Sequence, residues 1–216
     1  MTIPQIIVFT PGQVYVDSPE AVTEAAVGHI KATPGIQAWV NYSQLIRTIR
    51  PRSRSYRGLQ HEDELEAGVK MAVWVNVWDS YDSASKQKDQ LKALFKEENK
   101  PEIYHVNIGA DLAKPISGTT TEVARMNLKP GESIEALAKL VGELEANLKG
   151  AANGHGTTWG PTFENPNVYV GILGWDTKQD HLNAVAPDTE AYAIIQKILA
   201  IAVITMLHVD LTKLHG

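Results

Sequence analysis

Between residues 71 and 78 the chain alternates strictly, with Val73, Val75 and Val77 on one side and Ala72, Trp74, Asn76 and Trp78 on the other. A period of two with apolar residues on both sides predicts a strand covered on both faces. The valine side suits packing against helices. The Trp74, Asn76, Trp78 side suits a cavity interior, where a buried amide needs polar partners. A second two-residue rhythm at 121–128 sets Ala124, Met126 and Leu128 against Arg125 and Asn127. A third strand is expected over 168–175, after a hairpin turn at Glu164-Asn165-Pro166-Asn167. Ile134, Leu137, Val141, Leu144 and Leu148 recur at steps of three and four, which predicts an amphipathic helix closed by Gly150. Weaker signals predict strands at 6–10, 36–42 and 103–108, and helices over 80–95 and 188–199. A further helix opens at Ser18-Pro19-Glu20, with His29 at the edge of its buried face, and a last strand runs to Leu211.

These elements fall into two similar series. Tyr56-Arg57-Gly58-Leu59-Gln60-His61-Glu62-Asp63 parallels Thr158-Trp159-Gly160-Pro161-Thr162-Phe163-Glu164-Asn165, and Trp78-Asp79-Ser80 parallels Trp175-Asp176-Thr177. His105-Val106-Asn107-Ile108 parallels His208-Val209-Asp210-Leu211. Three matches in one order argue for an internal duplication. Each half reads β-α-β-β-α-β, the ferredoxin-like motif, so the expected fold class is α+β. The expected boundaries are 1–108 for the first repeat, 109–119 for a linker and 120–216 for the second repeat.

Composition narrows the chemistry. Of 216 residues 44% are hydrophobic, enough for a core, and the net charge of −5 does not suggest a nucleic-acid partner. Arg47, Arg50, Arg52, Arg54 and Arg57 form a basic exception, read as a solvated loop or edge strand, with an anion site as the alternative. With no cysteine, thiolate metal sites and thiol nucleophiles are excluded. The apolar run 191–209 is interrupted by Gln196, Lys197 and His208, which fits a buried helix running into a strand better than a membrane span. No secretory leader is read at the N-terminus, so a cytoplasmic protein without a membrane partner is expected.

Nucleophile elbows and glycine-rich phosphate loops are absent, as are His-x-His and His-Glu-x-x-His spacings. No metal is expected; His155, Glu164 and His181 are the one conceivable set across the hairpin. Thr177 with Asp180 three residues later reads as a capping pair, and it places His181 in the first helical turn. The positive end of the helix there disfavours imidazolium and keeps the ring available as a base. The competing reading is a surface helix that happens to carry a histidine. His105 and His208 recur at matching positions, which a repeated structural hydrogen bond explains as well as function does.

The run Trp159-Gly160-Pro161 with Glu164-Asn165-Pro166, the strand ending Gly174-Trp175-Asp176-Thr177, and His181 together resemble the fungal branch of the antibiotic-biosynthesis-monooxygenase (ABM-like) family. The resemblance covers most of the chain as a tandem pair. It implies the dimeric α+β barrel fold closed within one polypeptide, hence a monomer with pseudo-two-fold symmetry or a weak homodimer. It also places His181 where several members carry a histidine used for proton transfer; its counterpart in the first half is Ala84. The implied function is a cofactor-independent monooxygenase, cyclase or lyase acting on an aromatic, polyketide-like or other carbonyl substrate of secondary metabolism. In that scheme His181 takes the proton, Arg125 and Asn127 hold the oxyanion, and Tyr169, counted with them as catalytic, walls the pocket and stacks on the substrate. Trp159, Trp175, Leu173 and His155 line the pocket, with room left opposite Gly171, and Trp74, Asn76 and Trp78 line a second one. No cofactor is expected. The alternative is a non-catalytic stress-response barrel that binds a lipophile or haem.

Overall fold

The computed structural model describes residues 3–18, 54–64, 70–78, 80–86, 88, 95, 99, 101–108 and 112–215. Among these the two-residue rhythms become two antiparallel sheets. The first contains β1 (Ile3–Phe9), β2 (Arg54–Leu59), β3 (Ala72–Trp78) and β4 (Glu102–His105), with β9 (Thr212–His215) added at its edge in the order β4-β1-β3-β2-β9. The second contains β5 (Thr120–Leu128), β6 (Gly154–Pro161), β7 (Val168–Trp175) and β8 (Ala202–Val209) in the order β6-β7-β5-β8. Apart from β9, the strands of each half therefore lie in the same ferredoxin-like order, fourth, first, third, second. The chain is an α+β protein of two such units, packed as an intramolecular α+β barrel.

The helices are α1 (Gln13–Asp17), α2 (Tyr81–Lys86), α3 (Ala113–Ile116), α4 (Ile134–Leu148), α5 (Lys178–Ala184) and α6 (Glu190–Ile201). Ser133, Thr177 and Thr189 cap α4, α5 and α6 by accepting a backbone N–H in the first turn. The apolar stripe of α4 packs with Ala191, Ile194 and Ile198 of α6 onto Ala124, Met126, Tyr169, Leu173 and Trp175. Among the described residues no helix is long and apolar enough to cross a membrane, and the apolar run 191–209 divides at Ala202 into α6 and β8.

One face assignment is reversed. Val73, Val75 and Val77 pack not against helices but against the opposite sheet, meeting Val123, Val170 and Ile172 in the barrel interior. Short β-branched side chains make the flat surface that two sheets need at close spacing. The bulkier Trp74 lies on the outer side of the sheet, clustered with Phe9, Tyr15 and Phe95. α1, α3 and β9 are too short to register in the sequence pattern. The helix expected from 18 with His29, the strand at 36–42, and Arg47, Arg50 and Arg52 lie outside the described residues.

The two sheets are joined by a pair of matching bridges, Gln60 with Val209 and Thr162 with Val106. Beside them the His61 N–H donates to the His208 carbonyl (3.0 Å), and the Phe163 N–H donates to the His105 carbonyl (2.9 Å). These contacts require close backbone approach. A Cβ on Gly160 would stand 2.1 Å from the Asn107 carbonyl oxygen, and one on Gly58 would stand 2.9 Å from that of Asp210. Gly160→Ala is therefore expected to destabilise the protein by about 1–3 kcal/mol through forced separation of the seam. Gly142→Ala, in the interior of α4 with nothing within 4 Å of the new methyl, is expected to stabilise it by about 0.5–1 kcal/mol. Urea unfolding of the two variants tests both; equal midpoints would show that the seam tolerates the methyl.

Candidate active site

The site is built where β5 begins and β7 and β8 end, near α5. Antiparallel pairing sets Glu122 of β5 opposite His208 of β8, on the same face as Ala124 and Met126. β7 ends at Trp175, and Thr177 then starts α5. Its hydroxyl accepts from the Asp180 N–H (3.2 Å) and donates to Asp180 Oδ2 (2.6 Å), so the expected cap is formed. Thr177 and Asn153, both donating to Asp180, hold its carboxyl below the usual range. Because α5 begins directly after β7, its histidine turns back onto the sheet. His181 is 3% exposed, against Glu122 at 4% and His208 at 0%.

These three side chains form a chain of contacts. His181 Nε2 faces Glu122 Oε2 at 3.4 Å, and His181 Nδ1 stands 2.9 Å from His208 Nε2. Trp175 Nε1–H donates to Glu122 Oε2 (3.3 Å), and its ring lies against that of His181, with centroids 5.3 Å apart. A proton on His181 Nε2 directed at the carboxylate leaves Nδ1 as the acceptor for His208 Nε2–H. The surface-helix reading of His181 does not hold.

The first half presents the same frame with different chemistry. Gln5 lies opposite His105 as Glu122 lies opposite His208, and Trp78 Nε1–H donates to Gln5 Oε1 (3.3 Å) as Trp175 does to Glu122. Buried Ala84 occupies the place of His181. Gln5 Oε1 also accepts from Asn76 Nδ2 (2.9 Å), which orients the amide so that Nε2 donates to His105 Nε2 (2.8 Å). The His105 proton then lies on Nδ1, which donates to Glu164 Oε1 of the opposite half at 2.5 Å. The N–H donors of the expected second pocket are thus bonded within the protein, with Trp74 Nε1–H donating to the Tyr15 hydroxyl (2.7 Å).

The remaining expected residues do not converge on His181. Tyr169 shares a face with Trp175, but six residues of strand separate them, about 20 Å; burial, then the Glu135 charge, raises its pKa. Arg125 and Asn127 lie on the opposite face of β5, and Arg125 bonds to Glu102 and to the Tyr104 hydroxyl of the first half. Burial and the Glu102 carboxylate push Tyr104 up to about 12. Trp159 lies over Gly171, where a Cβ would meet its ring at 2.2 Å, so the room expected opposite that glycine is taken by indole. Leu173 pairs directly with Glu122, within reach of the cluster. His155 is a partly exposed partner of Asp176 (2.6 Å), and Glu164 belongs to His105, so the His155, Glu164, His181 set is not assembled. Glu122 was missed because a single acid in a strand is ordinarily solvent-facing; its place in register with Ala124, Met126 and Leu128 was the available signal.

No protein-family model matches the chain, and no curated protein matches it. Its fold is similar to that of a candidate monooxygenase of Fusobacterium nucleatum subsp. nucleatum, 14% identical with a TM-score of 0.63, the match covering 100% of this chain and 94% of the other. An anthrone oxidase-like protein is 13% identical with a TM-score of 0.63, covering 99% and 93%. A candidate monooxygenase of Lactobacillus acidophilus is 12% identical with a TM-score of 0.58, covering 99% and 96%. At such identities the likeness is one of fold, and it spans the whole chain.

Glu164 gives the site region a testable acid response. Burial alone would raise its carboxyl, but hydrogen bonds from the His105 ring and backbone N–H outweigh it and hold the group at about 2. A depressed carboxyl adds stability that is full above its unfolded value of 4.5 and lost as pH falls toward about 2. Glu164→Gln is expected to remove on the order of 2 kcal/mol at neutral pH, after allowance for partial exposure, and to flatten the pH dependence of stability within that window. Denaturant midpoints measured across acid pH check this, and an unchanged slope in the variant would rule it out.

Proposed function

We propose that the chain is a cofactor-independent enzyme that removes a proton from an aromatic or enolisable small molecule, with His181 as the base. The observation that carries this reading is the buried Glu122–His181–His208 chain, present in one half and replaced by Gln5, Ala84 and His105 in the other. Glu122 fixes the tautomer and orientation of His181 and offsets the charge when Nδ1, the nitrogen that accepts from His208 Nε2–H at rest, takes the substrate proton in its place. A positioned base of this kind accelerates proton transfer by ~10²–10⁴. Trp175 and Leu173 supply the apolar surroundings for an aromatic substrate. The anion left after proton removal reacts with dioxygen in an oxygenase, and it closes a ring or expels a leaving group in a cyclase or lyase. The monooxygenase and anthrone-oxidase-like names of the structural neighbours favour the first. Tyr169, Arg125 and Asn127 are left out of the reacting set by their positions.

Screening of anthrones and hydroquinones under air, with oxygen uptake as the readout, tests the reading. His181→Ala is expected to lower kcat ~100-fold or more, and Glu122→Gln by ~10-fold, with substrate binding by tryptophan quenching kept within a few-fold. Wild-type kcat in His181→Ala would remove the histidine from the chemistry. A barrel that only carries a lipophile or haem would bind its ligand in wild type and variant alike and turn nothing over.

A further inference from the structure

From the same three side chains we infer a second capacity: the Glu122–His181–His208 cluster is a binding site for a divalent first-row transition-metal ion. One donor atom from each residue can be chosen so that all three lie within 4.8 Å of one another, and all three residues are buried. Donor atoms around an ion held at 2.0–2.2 Å stand about 3.3 Å apart. His208 Nε2 stands 2.9 Å from His181 Nδ1 and Glu122 Oε2 stands 3.4 Å from His181 Nε2, so the His181 ring has to turn until one of its nitrogens faces both neighbours for the three donors to close on an ion. Two imidazoles and one carboxylate select zinc, cobalt, nickel or iron(II) over calcium and magnesium, which prefer oxygen.

The surroundings suit such a site. Trp175 Nε1–H donates to Glu122 Oε2, the oxygen that faces His181, an outer hydrogen bond that fixes the orientation of the carboxylate. The His208 backbone is anchored by the His61 N–H at the barrel seam, so one ligand strand is fixed before any ion arrives. A cation also offsets the cost of burying the Glu122 charge. The first half is an internal control: with Gln5 and Ala84 in place, it keeps the frame and the histidine but lacks two of the three ligands.

An ion on His181 occupies the lone pair that the proposed base needs, so binding blocks that reaction; this consequence, unlike the binding itself, rests on the function proposed above. The test is titration of chelator-treated full-length protein with Zn²⁺ by calorimetry and with Co²⁺ by visible absorption. One equivalent should bind, with ligand-field bands of a low-coordinate Co²⁺ site and a rise in Tm. His181→Ala, which reproduces Ala84, and Glu122→Gln, which reproduces Gln5, should each weaken binding ~100-fold or more while unfolding cooperatively. His155→Ala, at the surface pair with Asp176, should leave affinity unchanged. The site is refuted if His181→Ala binds as tightly as wild type, or if His155→Ala alone abolishes binding. Should Glu122→Gln fail to fold, the His181→Ala comparison decides. Tight binding without loss of turnover would keep the metal site and dismiss His181 as the base; absence of binding in the wild type would overturn the metal site and leave the proposed base to its own test.

Discussion

Among the described residues two matching backbone seams join the two sheets, and the candidate site depends on one of them. The carbonyls of His105 and His208 each accept an N–H from the hairpin of the opposite half, beside the paired bridges at Val106 and Val209. The seams exist only because Gly58 and Gly160 let one backbone lie against another. Interior valines and isoleucines then close the space between the sheets. A histidine whose main chain is fixed on both edges has little freedom, which lets a buried imidazole keep its distance from a neighbour to a few tenths of an ångström. Preorganisation of this kind is what acid–base and ligand chemistry require of a scaffold.

The two halves show how few side chains separate an amide-centred hydrogen-bonded network from one that carries an acid and two imidazoles. In the first, an amide with one orientation forces one tautomer on His105, and Asn76, Gln5, His105 and Glu164 are joined in one run of hydrogen bonds. Replacing that amide by the carboxylate of Glu122 removes a donor and adds a charge. Replacing Ala84 by His181 adds a second imidazole against it. The frame around them, an indole N–H on one side and a strand-end histidine on the other, is unchanged. A buried carboxylate with two imidazoles is costly unless it is used or paired, so the asymmetry is the strongest functional signal in the molecule.

Much of this was legible in the sequence, for physical reasons that also mark its limits. The spacing of Leu137, Val141, Leu144 and Leu148 defines α4, and Val168–Trp175 and the Thr177 cap stand where the pattern puts them, because period and capping are local properties. His181 stands out in the sequence through its cap. Alternation tells which side of a strand a residue occupies but not where along the strand its partners lie, so Tyr169 was joined to a histidine that it does not approach. Nor does alternation reveal what covers a face, and the valines of β3 were assigned to helices when a second sheet covers them. Glu122 and His208 become one site only through the register of β5 on β8, with Trp175 brought in from β7. That register follows from long-range pairing, which no local pattern carries.

The placement of β9 bears on how the protein is made. Its four residues come from the far end of the described chain, yet they pair with β2, whose partner residues Ser55, Tyr56 and Arg57 leave the ribosome long before. Until Thr212–His215 are synthesised, the β2 side of the first sheet remains an open edge of unpaired backbone. The first half can therefore collapse early but cannot finish. The same wait applies to the seam at Gln60, which needs Val209. Vectorial synthesis thus leaves a nascent chain with one incomplete sheet for most of its elongation, the interval in which a stray strand from another chain competes for the edge.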